Sequence, residues 1–221
     1  MSDTNIVELT NICLKSGRGE QIFDNLNLVI EAERSAMISG PAGSGKTSLV
    51  ELLTGLRLPD SGSVEMFGRC ISDGKKRWLK GTRRKIGGVG GIFGLVPTMT
   101  VAENVLFPLV LSGERPKLRR DRLFKILTEF SLLKLANEYP ERLTRVEYAL
   151  TQFARAAIGN QPLIIVDEPA AGLDSRSLDW AFEYMIKLSA SGRSMLILTS
   201  DTPMREVPNA DIYQIVNGAL E

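Results

Sequence analysis

GPAGSGKTS, from Gly40 to Ser48, is the stretch on which the fold turns. It satisfies the spacing G-x-x-x-x-G-K-[ST], with the apolar run RSAMIS before it and a leucine-rich helical pattern after it. A strand that turns through glycines into a helix leaves backbone N–H groups free at the helix start, with few side chains to hold an anion away. The stretch therefore reads as a phosphate cradle built from Gly40, Pro41, Ala42, Gly43, Ser44, Gly45, Lys46, Thr47 and Ser48. Lys46 places a point charge on the β- and γ-phosphates, and the Thr47 hydroxyl is a candidate Mg²⁺ ligand. A plain strand-to-helix turn needs neither the GKT triplet nor so many glycines.

The partner signal is LIIVDE, Leu163 to Glu168. A buried apolar strand ending in Asp167 delivers a carboxylate to the carboxyl edge of the sheet, where open α/β folds bind ligands. Asp167 is the second candidate Mg²⁺ ligand, direct or through water, and Glu168 the candidate that polarises an attacking water. Catalysis is thus expected from Glu168 and Lys46, on a nucleoside triphosphate.

Composition bounds the alternatives. The chain has 221 residues, 43% hydrophobic and 24% charged, as expected for one globular domain spanning 1–221. A net charge of +1 gives no global field for nucleic acid or anionic membrane. There is no histidine, which removes imidazole acid–base chemistry and nearly every catalytic zinc site. Cys13 and Cys70, far apart, read as buried or half-buried residues in a reducing compartment. No apolar run reaches the length of a membrane span, and the first residues carry no signal-peptide pattern. The expected location is the cytoplasm.

Short Val- and Ile-rich segments alternate with helical ones, which predicts α/β architecture around a largely parallel sheet. IVELTNICL, QIFDNLNLVIEA and SVEMFG alternate apolar and polar residues, as in a sheet with one solvated face. The helix after the glycine loop is expected to pack Leu49, Val50, Leu52, Leu53 and Leu56 inward and to end near Gly55. VAENVLFPLVLSG and KLRRDRLFKILTEFSLLKLA read as two helices, the second with its Leu/Phe stripe facing the core. They predict an inserted helical subdomain over about 97–155. DIYQIVNGALE reads as a terminal strand or hairpin.

The order of the segments says more. The glycine loop, LRLPDSGSVEMFG, RRKIGGVGGIFGLVPTMTVAENV, YPERLTRVEYALTQFARA, VDEPAAGLD and ILTSD together resemble the nucleotide-binding subunits of ATP-binding-cassette (ABC) transporters over essentially the whole chain. The short branch that serves lipoprotein-release, macrolide-efflux and cell-division complexes is the nearest in style. The resemblance implies an ABC-type P-loop NTPase core with an antiparallel β-subdomain and a helical subdomain. It also implies ATP and Mg²⁺ as cofactors, integral membrane permease subunits as partners, and a place at the inner face of the membrane. In that family two cassettes sandwich ATP, each site joining one phosphate loop to the other chain's signature.

Four elements depart from the family pattern. LTRVE stands where LSGGQ is usual, so Arg145 and Val146 replace two glycines and Glu147 a glutamine. A β-branched residue blocks close backbone approach, a carboxylate repels a γ-phosphate, and the segment reads as a drifted surface loop. Gly91 stands where the family has a glutamine, Ser200 where it has a switch histidine, and Ser16 where an aromatic stacks on adenine. Phe23 is the candidate ring to take that role. Lys46, Thr47, Asp167, Glu168 and Asp174 are kept. The pattern favours weak or partner-dependent hydrolysis and a second ABC subunit in a heterodimer rather than a homodimer; the alternative is a regulatory subunit that holds nucleotide without hydrolysing it. The basic clusters Lys75–Lys85 and Lys117–Arg122 read as solvated faces or contacts to a membrane partner, not as a nucleic-acid site.

Overall fold

The structure is a computed structural model, and it describes residues 5–169, 173–200 and 207–221. Two sheets organise it. The first is antiparallel, in the order β2-β1-β4-β5, from β1 (Asn5–Lys15), β2 (Gln21–Glu31), β4 (Ser61–Met66) and β5 (Arg69–Cys70). Alternation buries one face: Phe23, Leu26, Leu28 and Ile30 of β2 are inside, while the residues between them are mostly exposed.

The second sheet runs β10-β9-β3-β8-β7-β6. Its strands are β3 (Ser35–Ser39), β6 (Ile86–Gly90), β7 (Leu163–Asp167), β8 (Ser194–Thr199), β9 (Ala210–Val216) and β10 (Ala219–Leu220). All neighbours are parallel except β9 and β10, which close a hairpin at Asn217-Gly218. Every residue of β7 and β8 is buried, the expected pattern for strands covered on both faces. One apolar core lies between the antiparallel sheet, α1 (Lys46–Thr54) and the central sheet. A second lies on the opposite face, under α3 (Val101–Leu111), α4 (Pro116–Glu129), α5 (Arg145–Ile158) and α6 (Ser175–Ala190). The short helix α2 (Lys76–Arg83) leads into β6.

Local sequence explains the helix ends. Gly55, with φ 63°, closes α1 in the left-handed conformation expected of a terminal glycine. Thr100 and Glu103 form a reciprocal capping box at the start of α3, and Asp174 caps α6 by accepting from Ser177 N at 2.8 Å.

Several expectations need correction. The long second helix stops at Glu129: Ser131 takes φ 56°, and a 3₁₀ turn follows at Leu133–Leu135. Its stripe is only partly inward, because Ile126, Leu127 and Phe130 are buried while Phe124 is 65% exposed. Leu56 lies past the end of α1 and is exposed, as is Cys70, although Cys13 is half-buried. Of the quoted stretches, Ala170, Ala171, Gly172 and Asp201 lie outside the described residues.

Candidate functional site

The glycine loop joins the end of β3 to α1, and β7 ends beside it. Between them is a cavity of about 520 Å³. Ala42, Gly43, Gly45, Lys46, Thr47 and Ser48 line one side, and Asp167, Glu168 and Ser200 another. Gly40 and Pro41 take part through their carbonyls, which accept from Lys46 Nζ at 2.6 and 3.1 Å. Ser44 Oγ is buried with no hydrogen-bond partner. The expected residues therefore surround one space.

The loop is built to be left open. Gly45, with φ 104°, precedes α1 and provides no side-chain cap, and α1 carries no acidic residue in its first turn. The partial positive end of that helix is thus uncompensated, as an anion site requires. A Cβ at Gly45 would press on Ile22 and the Phe23 ring, so the chain can pass there only as glycine. Phe23 itself is fully buried beneath the loop, which removes it as a ring that could stack on a base. Ser16 is spent within its own turn, accepting from Arg18 N and Glu20 N at 3.2 Å each.

The charges are few and close. Lys46 is 6% exposed and sits 3.4 Å from Glu168 Oε1. Glu168 holds φ 59°, an uncommon conformation for a residue with a side chain; its N–H is fixed on Leu198 O at 2.9 Å. Ser200 donates to the Glu168 carboxylate twice, from its backbone N–H to Oε2 at 3.0 Å and from its hydroxyl to Oε1. Asp167 is 3% exposed, and burial, then the Glu168 charge, push its pKa above the usual aspartate range against the pull of Lys46. A buried carboxyl whose ionised form lacks a full counter-charge fits a divalent cation, and the orphaned Ser44 hydroxyl and bare helix end fit phosphate oxygens.

Gly91 is where a family glutamine was expected, and the local geometry excludes one. β6 pairs Gly90 with Asp167. A Cβ at Gly90 would overlap the Asp167 carbonyl, and one at Gly91, where φ is 45°, would overlap the Asp167 carboxylate. The room beside Gly88 is filled by the Phe93 ring. Gly91→Ala is therefore expected to cost about 1–3 kcal/mol of stability through overpacking. Denaturant unfolding checks this, and parental stability would count against the packing described.

LTRVE is not a surface loop. It is the start of α5, with Thr144 as N-cap. Thr144 Oγ1 accepts from Glu147 N at 3.3 Å, while Thr144 N–H and Oγ1–H both donate to Glu147 Oε2 at 2.8 Å. The Glu147 carboxylate is turned back to close the helix end, so α5, unlike α1, has its positive terminus occupied by its own chain. Arg145 is exposed at the mouth of a neighbouring cavity of about 440 Å³, with Gly91 and Tyr148.

Sequence reasoning missed how α5 holds the segment after β6. Tyr148 Oη accepts from Leu95 N at 2.8 Å, Gln152 Nε2 donates to Phe93 O at 3.0 Å, and the Arg155 guanidinium bonds both Phe93 O and Gly94 O. Burial holds the Arg155 pKa below its ordinary value. In the Lys75–Lys85 cluster, the Trp78 ring carries the guanidinium groups of Arg69 and Arg77 at 4.3 and 4.2 Å, so it is not a free stacking platform.

Comparison with known proteins agrees with this geometry. The profile of the ABC transporter family matches residues 23–171. The lipoprotein-releasing system ATP-binding protein LolD of Xanthomonas campestris is 32% identical over 182 residues, 81% of this chain and 75% of that one. The macrolide export ATP-binding/permease protein MacB of Marinobacter nauticus is 31% identical over 224 residues, the whole of this chain but 35% of that protein. Among solved structures, the dimeric ATP-binding cassette MJ0796 bound to ADP and Pi superposes with a TM-score of 0.87 at 29% identity, covering 97% of this chain and 96% of that one.

Proposed function

The chain belongs to the ABC transporter family as an ATP-binding subunit, and on that premise we propose how its site holds Mg-ATP and how far it turns it over. The observation that carries the reading is the Lys46–Glu168–Ser200 constellation over a bare helix end. Lys46 is held by two carbonyls and Glu168. Triphosphate oxygens take over that ammonium, and the backbone N–H groups of the loop and the start of α1 bind the rest of the phosphate chain. Thr47 and Asp167 would hold Mg²⁺, which would supply neutralisation of phosphate charge. Glu168, released from Lys46 but kept in place by both Ser200 donors, polarises the water. Those two hydrogen bonds fix the direction of the carboxylate.

Turnover on this chain is weak and depends on a partner. The γ-phosphate needs donors from a second chain, and the closed end of α5 with Arg145 and Val146 offers none of the glycine-backed amides a sandwich uses. A second ABC subunit with an open signature, forming a heterodimer, supplies them for the ATP held here. The other partners are integral membrane permease subunits. Among the described residues no helix is long and apolar enough to cross a membrane. The reading assigns the anchoring at the inner face to those subunits. A groove of about 750 Å³ supports this. Ile86, Val96 and Leu109 line it together with Arg84 and Arg122, which suits an apolar segment with acidic flanks.

The test uses the complex reconstituted with its permease and second cassette. Glu168→Gln in this chain is expected to lower ATP turnover of the complex by about 10²–10³ at this site, the usual cost of losing one key catalytic group. Turnover unchanged by Glu168→Gln but lost with Lys46→Ala would make this subunit a regulator that only binds nucleotide.

A further inference from the structure

Gln152 belongs to no sequence motif, yet it is 6% exposed and lines the same cavity as Lys46, Thr47, Asp167 and Glu168. Its Nε2 donates to Phe93 O at 3.0 Å. A carbonyl accepts only from the NH₂ end of an amide, so this bond fixes which way the side chain faces. Among the described residues, its Oε1 accepts nothing, and it is not one of the atoms sealed from the cavities without a partner. The same side chain lines the adjoining 440 Å³ cavity beside Gly90 and Gly91, where no other side chain can grow toward Asp167. A nearly buried side chain thus keeps an unpaired amide oxygen open to the cavity that Asp167 also lines.

We propose that Gln152 Oε1 accepts from a water in the Mg²⁺ hydration shell, so that α5 supplies the amide that the end of β6 does not. The proposal rests on the Mg-ATP reading of this cavity. Mg²⁺ dehydrates reluctantly and keeps several waters beside one or two protein ligands, here Thr47 and Asp167. Those waters carry strongly polarised O–H groups that need acceptors, and a neutral amide oxygen suits them without adding a further negative charge beside Asp167 and Glu168. The nearby Arg155 does not compete, because Phe93 O and Gly94 O hold its guanidinium. The location also has a mechanical consequence. Gln152, Tyr148 and Arg155 tie the 93–95 segment to α5, and Phe93, Gly94 and Arg155 line the 750 Å³ groove. Metal occupancy is thereby linked to the position of α5 and to the groove wall.

The experiment is calorimetric titration of the full chain with ATP in Mg²⁺ and in EDTA, for the parent, Gln152→Ala and Gln152→Leu. The parent is expected to gain affinity on adding Mg²⁺. In both variants that gain should fall about tenfold, as for other outer-shell metal partners, while metal-free affinity stays at the parental level. Parental Mg²⁺ dependence in both variants overturns the proposal. So does an equal loss with and without Mg²⁺, which would mark Gln152 as packing alone. A parent that binds no ATP under either condition would overturn the reading of the cavity itself.

Discussion

Replacing Lys46 with alanine is expected to weaken Mg-ATP binding about 10²–10³-fold, the equivalent of roughly 3–4 kcal/mol. The size follows from what the ammonium does in the site. It is nearly buried, it stands opposite Asp167 and Glu168, and it is the one cationic side chain lining the cavity among the described residues. Hydrogen bonds to charged groups contribute about 1.5–3 kcal/mol each, and one lysine reaching two phosphates makes at least two. Without it, a triphosphate enters a cleft of two carboxylates, and neither bare helix end nor glycine loop can offset that repulsion alone. Lys46→Ala also leaves Glu168 without its 3.4 Å partner, so the empty variant should be less stable than the parent. Calorimetry with Mg-ATP checks the affinity, and thermal unfolding without nucleotide confirms that the variant folds. Undiminished affinity in a folded variant would place the phosphates somewhere other than Gly40–Ser48.

The phosphate loop and the acidic strand were legible because their chemistry is local: a strand, a glycine turn and a helix start constrain residue types within a dozen positions. The alternating strands and the buried runs of β7 and β8 were legible for the same reason. What was not legible depends on a distant neighbour. Phe124 follows the helical stripe but has nothing packed over it, and Leu56 keeps the period of α1 one residue beyond its glycine stop. Gln152 is unremarkable in sequence because its significance comes from the Phe93 carbonyl and the cavity it lines with Gly90 and Gly91. The start of α5 is a different kind of miss. T-x-x-E opens both VAENV and VEYAL at Thr100–Glu103 and Thr144–Glu147, and at both it makes the same capping box. That signal is present in the sequence, masked by its place in a stretch that also aligns with a phosphate-binding motif.

The closed end of α5 has its largest consequence in assembly. The Glu168→Gln chain, saturated with Mg-ATP, is expected to remain monomeric. A symmetric sandwich would set the start of α5 against the γ-phosphate twice, and each time the phosphate would meet the Val146 side chain and the exposed Arg145 rather than glycine backbone. It would also meet a helix terminus already neutralised by Glu147 through two bonds to Thr144. Removing one preorganised donor costs about 10²–10³ in rate, so losing several at both sites should bring turnover of the isolated chain close to background. Arg145→Gly with Val146→Gly, built on Glu168→Gln, separates the causes. The two glycines remove the steric barrier but leave the capping box, because Thr144 and Glu147 are untouched. If side-chain bulk is the obstacle, light scattering will show an ATP-dependent rise to twice the monomer mass in the triple variant only. If the triple variant also stays monomeric, the neutralised helix end is sufficient to prevent closure, and Glu147→Gln added to it should restore the dimer. An ATP-dependent dimer of Glu168→Gln alone would sink both explanations, and with them the case for a heterodimeric partner. A chain that closed on itself through LTRVE would be using Arg145 as the phosphate ligand, an arrangement in which the guanidinium takes the place of the missing backbone amides.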